Sequence, residues 1–306
     1  TSIQLVEPTG EAPLQLRIAA LFRWAREHET LLDSTRVKVY GWVHRLRNQG
    51  GLKFLVLRDG SGFLQIVLQG DFAACTDALD LNVETAVLVT GRLLTDSRAE
   101  TGYELRADYW KPLCPSGGDF ESIVRPDSSP DVQYDQRHIA IRSAAISNIL
   151  KARSFITQSF RDYFFSREFF EVTPPSLVTT QCEGGSTLFH LNYYNEPAYL
   201  TQSSQLYLEA ATPALGNVFC IAPSFRAEKS RTRRHLSEFM HVEGEMSFIG
   251  FEELLQFLED MVVRVCEIAV VKAGSLIMKI NPAFKIPEGP FLRMTHAQCV
   301  QYWIDN

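Results

Sequence analysis

Two periods of apolar residues run through this chain, and the switch between them divides it. From residue 35 to 113 the period is close to two, the pattern of half-buried strands. Segments 37–43, 52–58, 63–68, 83–94 and 103–110 read as five strands. Asp59-Gly60-Ser61-Gly62 is the turn between the second and third, and 71–81 reads as a helix before the fourth. Elsewhere the period is helical. Leu14, Leu16, Ile18, Leu21, Phe22 and Ala25 predict an amphipathic helix over 14–32. Ile146, Ile149, Leu150, Phe155, Ile156 and Phe160 predict a long helix from 143 that leads into a strand near Phe169-Phe170-Glu171-Val172. Leu254, Leu255, Leu258, Met261, Val262 and Val265 predict another over 251–271, and a last helix starts at Thr295. Between 114 and 137 no period survives, and Pro115, Gly117, Gly118, Pro126 and Pro130 mark a linker. The reading is a helical extension over 1–34, a β unit over 35–113, a linker and hinge over 114–140, and an α+β unit over 141–306.

Five strands with one helix in this order match a five-stranded OB-fold barrel. Such barrels bind single-stranded nucleic acid through basic grooves and stacking aromatic rings. Arg45, Arg47, Phe54 and Gln65 are the candidates, although Phe54 alone would read as core and Gln65 alone as an ordinary exposed residue. Composition limits the means: the net charge is −6, so any RNA contact must come from local basic patches. No apolar run of about 18 residues is present, so no membrane span is predicted. The start shows no signal peptide, and a first residue other than Met suggests trimming. Six scattered cysteines without a Cys-x-x-Cys pair point to a reducing compartment, the cytoplasm, and away from zinc.

The densest chemistry lies over 218–248. Two strands, 218–228 and 238–248, flank the basic loop Lys229-Ser230-Arg231-Thr232-Arg233-Arg234-His235. Alternation puts Phe239, His241, Glu243 and Glu245 on one face of the return strand and Met240, Val242 and Met246 on the other. A polar strand face is ordinarily just solvated. A cationic loop above it suits a triphosphate or a phosphate-bearing RNA end.

Phe-Arg-Ala-Glu at 225–228, the basic loop, and Arg-His-Leu-Ser-Glu-Phe at 234–239 resemble motif 2 of the class II aminoacyl-tRNA synthetases, in the form of the aspartyl/asparaginyl/lysyl subgroup. The likeness runs in order and spacing from about residue 35 to the end. It implies an anticodon-binding barrel, in which Arg47 and Phe54 hold and stack a splayed base, Gln65 reads its edge and Arg45 lies alongside. It implies a class II catalytic domain with an antiparallel sheet, in which the helix and strand ending at Thr173-Pro174 form motif 1 and a homodimer contact. Glu183 in the Gly184-Gly185-Ser186 loop would meet the substrate ammonium, and Gln205 its main-chain groups. Arg226 would clamp the α-phosphate of ATP, Phe239 stack on adenine, and Glu228, Arg234, His235 and Leu236 complete the nucleotide site. Mg2+ is implied by the chemistry, with Glu245 the one candidate near it.

Position 208 bears on the substrate. Aspartyl members resemble this stretch but carry a lysine there, to pair with the substrate carboxylate. Leu208 leaves such a carboxylate unpaired, and Glu243 would accept from a carboxamide but repel a carboxylate. The implied activity is ATP-dependent joining of asparagine to its tRNA through an aminoacyl-adenylate. An aspartyl or non-discriminating enzyme, and a non-catalytic RNA-binding paralogue, stay open as alternatives. An asparagine synthetase sharing the catalytic fold would leave the barrel without a purpose. The family also has a Gly-rich third motif ending in arginine. None follows motif 2 before Asn306, so truncation is expected and the antiparallel sheet is expected to be incomplete.

Overall fold

Alternation carries the first half of the chain into a closed barrel. A computed structural model describes all residues except 1, 2, 11, 119, 126, 183–186, 231 and 233, and the side chains of 121 and 122. Two compact units result, Thr1–Ala140 and Ile141–Asn306.

In the first unit a two-residue strand β1 (Leu14–Gln15) precedes helix α1 (Ile18–Glu27). Strands β2 (Arg36–Gln49), β3 (Leu52–Arg58) and β4 (Phe63–Leu68) follow. Short helices α2 (Asp71–Ala74) and α3 (Thr76–Leu79) lead to β5 (Ala86–Thr95) and β6 (Tyr103–Cys114). The sheet order is β1-β2-β3-β4-β6-β5, and an added β2–β5 pairing closes the barrel. Val37, Val39, Leu55, Leu57, Leu64 and Ile66 point inward and are buried. Three short helices, α4 (Phe120–Ile123), α5 (Pro130–Asp135) and α6 (Arg137–Ala140), punctuate the segment read as linker.

The helix expected over 14–32 is shorter than its periodicity suggested. Leu14 and Gln15 pair in parallel with Val37 and Lys38 instead. The reason lies far along the chain: α1 has Arg17 at its N-cap, a residue that offers no acceptor. The β3–β4 turn supplies the cap, with Asp59 Oδ2 accepting from Ile18 N at 2.8 Å and Ser61 Oγ from Ala19 N at 3.0 Å. The helix expected over 71–81 also breaks, at Cys75, which is extended.

In the second unit, α7 (Ala144–Ser166) runs to β7 (Phe170–Glu171), followed by β8 (Leu177–Val178), β9 (His190–Tyr193) and β10 (Glu196–Leu200). Helix α8 (Gln205–Leu215), strands β11 (Val218–Phe225) and β12 (Glu238–Glu245), and helices α9 (Phe251–Ile280) and α10 (His296–Asp305) complete it. Strand β11 lies between β12, antiparallel, and β7, parallel. Phe164 stacks on Phe219 at 4.5 Å under this sheet, beside Tyr163, Phe169 and Val265. Helix α9 outruns the expected 251–271 because its last turns resume beyond a non-helical Ala273. Buried Glu259 accepts from Arg293 at 2.8 Å, fastening the proline-rich segment that follows; no strand forms around Phe291.

Candidate functional site

Strands β11 and β12 pair from Val218↔Glu245 to Phe225↔Glu238. Directly opposed residues share a face, so Phe239, His241, Glu243 and Glu245 lie beside Ser224, Ala222, Cys220 and Val218. The opposite face, with Phe219, Ile221, Val242 and Met246, packs into the phenylalanine core. Met240, assigned to that core face by alternation, is exposed; it lies toward the loop end of the hairpin, opposite Pro223. Both strands end sooner than expected, which places Arg226 and Glu228 beyond β11. One ladder step still continues: Arg226 N donates to Ser237 O at 3.0 Å.

Helix α8 covers one end of the polar face. Leu208 is fully buried there with Val218 and Cys220. It therefore contacts no solute, and acts as core. Glu243 reaches the start of α8, where Ser204 N donates to Oε2 at 2.9 Å and the Ser203 hydroxyl donates to Oε1. An anion at a helix N-terminus satisfies orphan N–H groups and suits the dipole. Ser203 Oγ also accepts from Gln205 N at 3.1 Å, while Ser204 occupies the N-cap position without a side-chain cap bond. His241 Nδ1 lies 3.1 Å from Ser224 Oγ and 3.5 Å from Glu243 Oε2. Burial foremost, with the Glu243 charge adding, pushes the Cys220 thiol up to about 11, so it stays protonated. Glu243→Ala is expected to leave Ser204 N without its acceptor and to cost about 1–3 kcal/mol. Calorimetry would show a fall of roughly 3–9 °C in the melting midpoint.

Gln205 is exposed, and its amide donates to Glu209 Oε1 at 2.8 Å. Burial, then repulsion from Glu209 and Glu243, raises the Glu245 pKa. A carboxyl raised in the fold is penalised when charged, above its folded pKa, and the penalty vanishes once pH falls below the unfolded value. Glu245→Gln should therefore raise the melting midpoint near neutral pH, with the gain disappearing on acidification. Melting scans across pH test this.

Arg226 is the most informative side chain of the face. Its guanidinium lies 5.7 Å from the Phe239 ring centroid, and its buried Nε has no hydrogen-bond partner. Below it Ala227 N donates to Thr187 O at 2.8 Å, and Gln202 Nε2 donates to Thr187 Oγ1 at 2.8 Å. In the loop His235 Nε2 stands 3.5 Å from Glu228 Oε2, and its Nδ1 meets the hydroxyls of Ser230 and Thr232. Arg234 and Leu236 are exposed. Glu183 lies outside the described residues, as do Arg231 and Arg233. Pro174 is half-buried past β7, on the rim of a cavity of about 410 Å³ that also takes in Ser203 and Tyr207.

The first unit carries a separate surface on the barrel's outer face. Arg47 pairs with Phe54 across β2 and β3, with its guanidinium 5.1 Å from the ring centroid. Exposed Arg45 pairs with Val56, and Val56 with Gln65. All four barrel candidates thus share one face. The next strand adds a residue the sequence did not single out: Glu104 of β6, in register with Gln65, accepts from Gln65 Nε2 at 2.7 Å. This bond fixes the direction of the Gln65 amide.

A family model described as tRNA synthetases class II (D, K and N) matches residues 129–305. The chain belongs to that family. An OB-fold nucleic acid binding domain matches residues 37–113, in line with the closed barrel. Among class II relatives, the cytoplasmic asparagine–tRNA ligase of Bos taurus is 54% identical over 273 residues, covering 87% of this chain and 48% of that protein. The asparaginyl-tRNA synthetase of Entamoeba histolytica, solved in complex with asparaginyl-adenylate, superposes with a TM-score of 0.84 at 38% identity, over 96% of this chain and 67% of that one. The Pyrococcus horikoshii enzyme, also complexed with asparaginyl-adenylate, gives 0.81 at 33% identity, over 90% and 64%. The chain spans about half the length of the curated relatives it matches. Across the described residues of this class II chain, no helix is long and apolar enough to cross a membrane.

Proposed function

We propose that this chain carries the RNA-reading and amino-acid-activating parts of a cytoplasmic asparagine–tRNA ligase. The observation that carries the reading is the buried, unpartnered Nε of Arg226 beside the Phe239 ring. With Nε enclosed, the terminal fork of this half-buried guanidinium is the part left to meet an anion, which it does in planar, two-pronged fashion. An aromatic face beside it suits a purine, and ATP supplies both.

In the first step an asparagine carboxylate oxygen attacks the α-phosphorus. A new P–O bond forms, the bond to the bridging oxygen of the β-phosphate breaks, and pyrophosphate leaves. Arg226 stabilises the charge on the α-phosphate, and Phe239 holds adenine. Glu228, Arg234, His235 and Leu236 surround the rest of the nucleotide. In the second step the terminal ribose hydroxyl of the tRNA attacks the acyl carbon, AMP leaves, and the hydroxyl proton goes with the released acid. Positioning and charge neutralisation carry most of this chemistry.

The amino acid lies toward Gln205 and Glu243. The Ser203 hydroxyl and the Ser204 N–H, just before α8, and more weakly the Cys220 thiol at 3.9 Å, occupy part of the acceptor capacity of Glu243. A carboxylate has about four acceptor sites, so room remains for a carboxamide NH2, while an aspartate side chain would meet like charge. Among the described residues no group of three or more metal-binding side chains assembles. The donor set therefore fits magnesium only as the partner of ATP phosphates, with Glu245 as the one nearby carboxylate. Pairing as a homodimer through the Pro174 region is supported by exposed Phe155, Phe165, Phe170 and Leu177 on α7, β7 and β8.

The test is exchange of labelled pyrophosphate into ATP, run with asparagine and with aspartate. Exchange with asparagine alone is the expected result for a longer chain that carries the family's third motif. Equal exchange with aspartate would overturn the substrate assignment, and none with either would overturn activation by this chain.

A further inference from the structure

Register places five outer-face residues in a single row across the barrel: Arg47 on β2, Phe54 on β3, Val67 on β4, Arg106 on β6 and Arg92 on β5. The far end of that row is unusual. Arg92 and Arg106 stand directly opposite one another in an antiparallel pair, and both are exposed. Like charges so placed repel. Arg106 makes no hydrogen bond or ion pair among the described residues. The nearby carboxylate, Asp108, spends its hydrogen bonds elsewhere, and its charge reaches Arg92 but not through a hydrogen bond. A register shift between Thr90 and Gly91 leaves it as the extra residue of a bulge. There it accepts from Arg36 at 2.7 and 2.9 Å and from Thr90 at 2.8 Å. Glu104, two residues before Arg106, is occupied by Gln65. The close approach of the two strands is itself enforced: a Cβ on Gly91 would lie 2.1 Å from Arg106 O.

We propose that Arg106 and Arg92 form a phosphate-binding step for RNA that crosses the barrel face, beyond the residues that take the base. This step rests on the reading of the Arg47–Phe54–Gln65 face as an RNA surface. Neighbouring strands are about 4.8 Å apart, so Arg106 lies about 14 Å from Arg47, three strand steps away. A splayed base on Phe54 would then sit between two cationic footholds, Arg47 on one side and the Arg106–Arg92 pair on the other. A phosphate between the paired arginines would cancel a repulsion that the Asp108 charge offsets only on the Arg92 side. Phosphate contacts fix register and carry no sequence information.

The experiment titrates the whole chain with an RNA stem-loop bearing the asparagine anticodon and with the same stem bearing a scrambled loop, over a series of salt concentrations. Arg106→Gln is expected to weaken binding about tenfold on both RNAs. The slope of log affinity against log salt should fall by about one, and by about two in the Arg92→Gln, Arg106→Gln double variant. The double variant should melt no lower than the wild type at low salt, since a repulsion has been removed. Binding within about twofold of wild type with an unchanged salt slope, while Phe54→Ala still weakens it, would overturn the step and leave the RNA surface standing. Loss confined to the anticodon loop would make Arg106 a base reader and also overturn it. Failure of the wild-type chain to prefer the anticodon loop would overturn the surface and the step together.

Discussion

Arg226→Ala is expected to lower asparagine-dependent pyrophosphate exchange by about 100- to 1000-fold, the range seen when one donor to a developing anion is removed. The loss should fall mainly on kcat at saturating ATP, because charge on the α-phosphate grows in the transition state. Arg226→Lys should recover little, since an ammonium lacks both the planar fork and the stacking face used against Phe239. Stability separates this from structural damage. The Nε of Arg226 has no protein partner, so removing it breaks no bond made through that atom. The variant should therefore melt close to the wild type while losing exchange. A midpoint falling in step with activity would show that Arg226 only holds the hairpin.

Phe54→Ala should weaken binding of the anticodon stem-loop about 10- to 100-fold, since stacking of one base on a ring contributes roughly 1–3 kcal/mol. Phe54→Leu keeps apolar bulk but not the ring, and should lose nearly as much. Gln65→Ala should act differently, relaxing preference among loop sequences more than it lowers affinity, because it removes a donor and acceptor held in one direction by Glu104. Arg47 and Phe54 touch, so their combined effect should fall short of the sum of the single ones. Anisotropy titrations of the single and double variants decide this. Equal affinities for wild type and Phe54→Ala would place Phe54 in the packing of the barrel wall alone.

Where the chain's instructions were local, the sequence made them readable. β3 and β4 flank the Asp59-Gly60-Ser61-Gly62 turn, and both span the residues expected of them. The faces of β12 were equally plain, apart from Met240 near its end. Residues whose surroundings come from elsewhere were misjudged. Leu14 and Leu16 fit a helical stripe, but only the distant β2 ladder and the Asp59 cap decide against it. Glu104 could not be singled out, because its meeting with Gln65 depends on parallel register between β4 and β6. Glu243 was read only for what it offers a substrate, a charge and a hydrogen-bond acceptor. Its bonds to Ser203 and Ser204 give it a second task, which appears only once α8 is packed against the sheet.

The burial of Leu208 also bears on how such a site can change over generations. Its side chain fills the small core beneath α8 with Val218 and Cys220. A lysine there would have to push an ammonium through that core before it could meet any substrate. The first mutation toward an aspartate-accepting site would weaken folding before it offered a new specificity. Drift at position 208 is thus filtered by stability before any change in binding can be selected.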